Sequence, residues 1–283
     1  MTKSTSLWQL RIRRFRKDRL AVVSLGIISI LLISAILAQV IAPYDPASQR
    51  MSERRLPPGS PGHLLGTDGF GRDIASRLVY GGRISLMVGL VSVGVGMLIG
   101  MTLGLIAGYF KHLDNLIMRV MDILLAFPGV LIAIIVVAIL GPGLYNVIIA
   151  ISVFSIPMFA RLTRGATLSA KEETYVLAAR SLGAPTSRIL LQHILPNIVS
   201  PIIVFATVRI GVSILNAAAL SFLGIGAQPP MPEWGVMISE GRNFLYTSPY
   251  IAFVPGLAIL IVVLSFNLLG DGIRDALDPF QSD

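Results

Sequence analysis

The sequence predicts an all-α, polytopic membrane protein, and three observations carry that prediction. Of 283 residues, 54% are hydrophobic and only 13% charged, with a mean hydropathy of +0.78; soluble domains carry about 25% charged residues. Six stretches contain no Asp, Glu, Lys or Arg at all: 20–44, 84–110, 123–160, 189–208, 210–232 and 243–270. A helix rises about 1.5 Å per residue and the hydrocarbon core is about 30 Å thick, so about 20 apolar residues cross it. Finally, Gly141-Pro142-Gly143 supplies a turn in the longest stretch, which is long enough for two crossings. Too little polar surface remains to cover a water-soluble globule, which excludes a cytosolic enzyme, a secreted module and a disordered chain. With no cysteine, thiol catalysis, disulfides and thiolate metal sites are excluded too.

In chain order, residues 1–19 read as a short amphipathic helix, setting Leu7, Trp8, Leu10, Ile12 and Phe15 against basic residues. The first span covers 20–42. Its apolar run of 25 residues exceeds the roughly 7–15 of a signal-peptide core, so it is read as uncleaved. Residues 43–83 form an outer loop marked by Pro57-Pro58-Gly59 and Pro61-Gly62, and Asp73 to Arg77 leads into the next span. That span, 84–110, carries a ridge of small residues four apart: Ser92, Gly96, Gly100, Gly104 and Gly108. Such a face lets another backbone approach closely. Spans at 117–140 and 144–163 follow, then an inner segment, 164–195. Pro196 opens a span at 197–222, with an outer end that folds back as a partly inserted hairpin before the loop 223–250. A last span lies within 243–270, closing a five-helix core over 84–275 before a tail at 276–283. The total is six spans, with five or seven as the alternatives.

Seven basic residues (Lys3, Arg11, Arg13, Arg14, Arg16, Lys17 and Arg19) precede the first span, which puts the amino terminus in the cytoplasm. Six arginines in the outer loop 43–83 run against that rule. The net charge of +8 is explained by topology rather than nucleic acid, because no basic stretch is interleaved with aromatic residues for base stacking.

Arg209 interrupts an otherwise charge-free run and must face protein or water, since an arginine at mid-bilayer costs about 2.5–3.5 kcal/mol. Asn216 lies seven residues on, hence on the same helix face. The two are candidates for lining a translocation path; hydrogen bonding to a neighbouring helix is the alternative. Asp122 and Arg119 read as an interfacial anchor. The glycine-rich Gly66 to Gly71 lacks the lysine and hydroxyl of a phosphate loop. The histidines at 63, 112 and 193 are dispersed and no HExxH occurs, so no metal site is expected.

The inner segment has more structure than a polar loop. Glu172 to Gly183 reads as a short amphipathic helix with acids at its start, Arg180 near its end and Gly183 at the C′ position. Ala184-Pro185 restarts a second helix, which runs through Ile189, Leu190, Leu191 and Ile194 to Pro196. Two helices joined at a glycine make a rigid protrusion fit for a partner's groove, and equally an ordinary surface hairpin.

Ala178-Ala179, Gly183 and Leu195-Pro196 keep the spacing of the "EAA" loop, and here the chain resembles the permeases of ABC importers. Leu177 stands where that family has glutamate, and His193 where isoleucine is common. Three further stretches resemble the peptide/nickel branch. They are Leu65 to Asp73 with Ser76-Arg77-Leu78; Ala219 to Gly224 with Gln228 to Pro230 and Pro232 to Gly235; and Phe266 to Asp275 with Leu277 to Pro279. Together they cover most of the chain from residue 65 on and are most similar to the second permease subunit of dipeptide, oligopeptide and glutathione importers. The resemblance implies the ABC importer permease fold, with six transmembrane helices and a cytoplasmic coupling-helix loop. In that loop Glu173, Thr174, Tyr175, Ala178, Ala179, Arg180, Ser181, Leu182 and Gly183 dock on an ATPase. It further implies a non-enzymatic chain without its own cofactor, ATP and Mg²⁺ being held by two ATPase subunits. The other partners are a homologous permease, met through faces such as the 92–108 ridge, a substrate-binding protein and the lipid bilayer. Asp68, Arg72, Asp73, Glu233 and Trp234 are expected to face the binding protein. Peptide is the expected cargo and nickel the alternative; an ion-coupled secondary transporter is disfavoured because no span carries carboxylates away from its ends. The implied location is the bacterial inner membrane.

Overall fold

The computed structural model describes residues 13–277, and within them every regular element is helical. The expected amphipathic start at 1–19 lies mostly outside the described residues, as does the tail from 278 on. Residues 13–17 are helical, and Phe15 packs on the hydrophobic core. Helix α1 (Arg19–Ile36) starts where the Asp18 carboxylate accepts from the backbone N–H of Leu20 at 2.9 Å and of Ala21 at 3.2 Å. A one-turn helix, α2 (Ala38–Ile41), follows.

Helix α3 (Ile74–Tyr109) begins well before residue 84, because Asp73 caps it by accepting from Ser76 N–H at 2.7 Å. At 36 residues it is about 54 Å long and outreaches the hydrocarbon core. The third span is broken rather than continuous over 117–140. Helices α4 (Lys111–Leu125) and α5 (Gly129–Leu140) meet at a 90° bend. Pro128 lacks an amide hydrogen and pushes Phe127 out of the helical region, so the ladder cannot cross it. Helix α6 (Leu144–Ala170) starts directly after the Gly-Pro-Gly turn and continues beyond residue 163.

A short helix α7 (Thr174–Ser181) precedes α8 (Thr186–Phe222). The sequence reading separates a surface helix from a span at Pro196; the structure runs them together. A π stretch at Ile189–Ile194 shifts the hydrogen bonding, with Leu195 N–H donating to Leu190 C=O, five residues back. Asn197 Nδ2 donates to the His193 carbonyl at 2.6 Å, so the proline is absorbed without a break. Beyond Phe222 the chain enters a connector, 223–249, that contains α9 (Trp234–Gly241). It ends at α10 (Tyr250–Leu277). Among the described residues five helices are long and apolar enough to span a membrane, and the bent α4–α5 pair makes a sixth crossing if counted as one.

The small-residue ridge decides how the bundle is built. A Cβ on Gly96 would meet Ser155, on Gly100 the Ile156 carbonyl, on Gly104 that of Ala160, and on Gly108 Thr167. Residue numbers rise together on both helices, so α3 and α6 run parallel, backbone against backbone. This corrects the expectation that the ridge meets a second permease: α6 of the same chain consumes it. Helix α8 packs antiparallel to α10, Gly211 beside Val263 and Gly270 beside Val208, and Gly272 of α10 receives Ala21 of α1. The start of α1 and the end of α10 therefore share one end of the bundle, and residues 43–73 and 223–249 occupy the other.

Candidate functional site

Helix α7 is anchored by one face. Val176 is fully buried and joins Ile189, Ile194, Phe159 and Leu105 in a single apolar cluster that ties α7 to α3, α6 and α8. Lys171 Nζ donates to the Gly108 carbonyl at 3.1 Å, and the Arg180 guanidinium sits 5.6 Å from the Tyr109 ring centroid. The helix closes as expected at glycine. Gly183 has φ +78°, its N–H donates to Arg180 C=O, and Ala184 N–H donates to Ala179 C=O. That pair of bonds is a Schellman motif. Glu173 sits at the N-cap position without a side-chain capping bond, so the acids precede the helix rather than form its first turn. Away from the anchor, Thr174, Tyr175, Leu177, Ala178, Ser181 and Leu182 are exposed and Ala179 is half-buried, while Arg180, also exposed, shares the Val176 face. Leu182, at 88% exposure, is an apolar side chain held outward on a rigid stub.

At the opposite end the structure overturns the outward-facing reading. Asp68, Arg72, Asp73, Glu233 and Trp234 are all at most 4% exposed. They are internal struts, for a reason the distances show. Arg72 donates to Asp68 at 2.6 Å and to Glu240 at 2.7 Å, and Arg77 donates to the same Glu240 oxygen at 3.0 Å. Two arginines and two carboxylates, drawn from the first connector, α3 and α9, thus neutralise one another inside the protein. Glu233 caps α9 by accepting from Val236 N–H at 3.0 Å and also accepts from Ser85 Oγ. Trp234 Nε1 donates to the Leu78 carbonyl at 3.0 Å, its ring lying against Gly81 and Gly82 of α3.

His63, far from the other two histidines in sequence, is 4% exposed and lies between Asp73 at 2.8 Å and Glu53 at 3.2 Å. Burial opposes its charge, but the hydrogen bonds to the two carboxylates outweigh it and hold its pKa above the usual histidine value. The i,i+4 spacing of Asp68 and Arg72 hints at a pair, whereas Glu240 lies 168 residues from Arg72 and leaves no local signal. The side chains exposed at this end are others: Met51, Leu64, Phe70 and Tyr246.

Arg209 and Asn216 sit where α8 faces α6 and the bent pair. Arg209 is 8% exposed, and its Nε and Nη2 have no hydrogen-bond partner. Its guanidinium carbon lies 5.3 Å from the Phe154 ring centroid. Asn216 lines a small pocket with Gly129, Ala133, Ile151, Phe154 and Leu220. Elsewhere, Asp122 pairs with Arg161 at 2.6 Å and not with Arg119, and Asp114 pairs with Arg164, so α4 is clamped to α6. Among the described residues no group of three or more metal-ligating side chains converges.

Comparison with known proteins agrees with this architecture. Residues 100–283 match the family described as binding-protein-dependent transport system inner membrane component. Residues 6–58 match the N-terminal TM domain of oligopeptide transport permease C. A glutathione transport system permease protein, GsiD, of Pectobacterium atrosepticum is 54% identical over 96% of this chain and 91% of its own. A dipeptide transport system permease protein, DppC, of Alkalihalophilus pseudofirmus is 48% identical over 98% and 91%. In fold, the chain is similar to the MetNI methionine ABC transporter in an inward-facing conformation, with a TM-score of 0.59 at 20% identity, over 71% of this chain and 97% of that one. With a multi-pass helical bundle, a helix–glycine–helix protrusion at one end and relatives this similar over nearly their whole length, the chain belongs to the binding-protein-dependent ABC transporter permeases, on the branch of the peptide importers.

Proposed function

We propose that this chain forms half of the translocation pathway of an ATP-driven importer for peptides, glutathione and dipeptides among them. A homologous permease completes the pathway, a binding protein delivers cargo, and two separate ATPase subunits bind ATP and Mg²⁺ and do the nucleotide chemistry. The chain lies in the bacterial inner membrane with its amino terminus in the cytoplasm, in keeping with the basic residues before α1. The relatives are named for glutathione and dipeptide transport, which favours a peptide over nickel.

The seating of α7 carries the mechanism. A partner that grips Tyr175, Leu177 and Leu182 pulls on a helix whose inner face is locked by Val176 to the ends of α3, α6 and α8. Closure of the ATPases around ATP moves α7, and the apolar cluster passes that displacement to the spans, alternating access between the two sides. At the far end, the Arg72–Glu240 strut makes the two connectors one rigid plate for the loaded binding protein, which meets Met51, Leu64, Phe70 and Tyr246 rather than the buried struts.

The test is co-purification followed by uptake of radiolabelled glutathione and a dipeptide into liposomes. Uptake is expected only with ATPase subunits, binding protein and ATP together. Peptide movement by the chain alone, or failure of ATPases to co-purify in a way that depends on α7, refutes the proposal.

A further inference from the structure

Among the described residues of the long helices, Arg209 is the charge farthest from a helix end, and two of its donors are unpartnered. The remaining charged residues of the long helices cluster near their termini, as Arg77 and Arg83 do in α3, Arg161 and Arg164 in α6, and Asp271, Arg274 and Asp275 in α10. Arg209 lies near the middle of α8, more than nine-tenths buried, with Nε and Nη2 unpartnered. A buried guanidinium without an anion is costly by several kcal/mol. Helix packing gives no reason for it: methionine fills the same volume without that penalty. What covers it is the flat face of Phe154, a neutral lid on a planar fork of donors. The edge of the same ring rests on Gly129, directly after the break in the α4–α5 span, where an added Cβ would come within 1.9 Å of it. One ring thus ties the arginine to the hinge. Beyond it, Asn216 offers a second polar group on the pocket wall, two turns along the same helix face.

We infer that Arg209 is a carboxylate-binding site within the translocation path, covered by Phe154, and that it receives the carboxylate of the transported peptide. The inference rests on the proposed function. A carboxylate crossing a low-dielectric passage needs a countercharge, and a guanidinium takes a carboxylate through two parallel hydrogen bonds. The pocket here has room for about one water, roughly 10 Å³, so cargo reaches Arg209 when the helices part and the Phe154 ring leaves its seat on Gly129. Asn216 then lies further along the path and handles amide groups of the peptide.

The experiment uses the complete transporter, with both permeases, the ATPases and the binding protein, in liposomes. Wild type must first import glutathione or a dipeptide; if it imports neither, the proposed function fails before this site is at issue. With wild type active, Arg209→Gln is expected to assemble normally and lose at least tenfold in peptide uptake, while Arg209→Lys recovers part of it. Unchanged uptake by Arg209→Gln overturns the inference. Loss of assembly in Arg209→Gln also overturns it, since the side chain is then needed to build the complex rather than to receive cargo. A second measurement uses the absence of native cysteine in this chain. In Asn216→Cys, labelling of this chain by a negatively charged thiosulfonate during turnover is expected to fall at least fivefold with saturating dipeptide. No protection by cargo overturns the site independently.

Discussion

Replacing Gly104 by alanine tests the parallel seam between α3 and α6. A Cβ there lies 2.3 Å from the Ala160 carbonyl oxygen and 2.7 Å from the Thr163 Cβ, where ordinary contact begins at 3.4 Å. The obstacle at 2.3 Å is backbone and cannot swing aside, so the helices must part locally by about 1 Å, the difference between those values. Overpacking of this kind costs about 1–3 kcal/mol. Parting also thins the contacts at Gly100 and Gly108, each atom pair losing a fraction of about 0.1–0.2 kcal/mol. Against this, alanine exceeds glycine as a helix former by up to about 1 kcal/mol. The expected net is a destabilisation of about 1–2 kcal/mol, or a fall of about 2–8 °C in thermal midpoint. Gly94 lies on the same helix, and a Cβ there meets nothing within 4 Å. Gly94→Ala is therefore expected to hold or raise the midpoint. The assay is the temperature at which the detergent-purified transporter loses its monodisperse peak in size exclusion. Equal midpoints for the two variants refute the backbone-to-backbone seam.

Three other outcomes follow from the geometry. Gly183→Val meets no neighbouring atom but must hold φ +78°, at a backbone cost of about 1–2 kcal/mol; it should lower peptide taken up per ATP hydrolysed while the complex still assembles, and an unchanged ratio rejects the role of that turn. Glu240→Gln leaves Arg72 and Arg77 with Asp68 as their one remaining carboxylate and should cost about 3 kcal/mol, read as a lowered thermal midpoint; no change would mean the strut is dispensable. Because His63 has its pKa raised in the folded protein, its contribution to stability is complete below the unfolded value of 6.5 and is lost as pH rises through the folded value. Wild type should thus become less stable from about pH 6.5 upward, His63→Gln should lose that component, and superimposable pH profiles of the thermal midpoint refute it.

Composition and periodicity alone located the spans, because crossing a bilayer is a demand on each segment separately. Charge-free runs such as 84–110 announce themselves without reference to any partner. The α7 protrusion was equally legible, since Gly183 in a left-handed conformation is a local requirement. Proline effects were less so. Pro128 breaks its span while Pro196 does not, and the difference lies in whether neighbouring groups, here the π stretch and Asn197, absorb the missing donor.

Tertiary structure alone decided what each surface is used for. The small-residue ridge at 92–108 signalled close packing, yet nothing local distinguishes α6 of the same chain from a second permease as its partner. The signature residues Asp68, Arg72 and Asp73 carry the polarity of an exposed loop and are buried because Arg72 pairs with Asp68 and Glu240, and His63 with Asp73. Pairing of charges is a property of distance in space. A chain order that separates Arg72 from Glu240 by 168 residues encodes that distance only through the packing of α3 against α9.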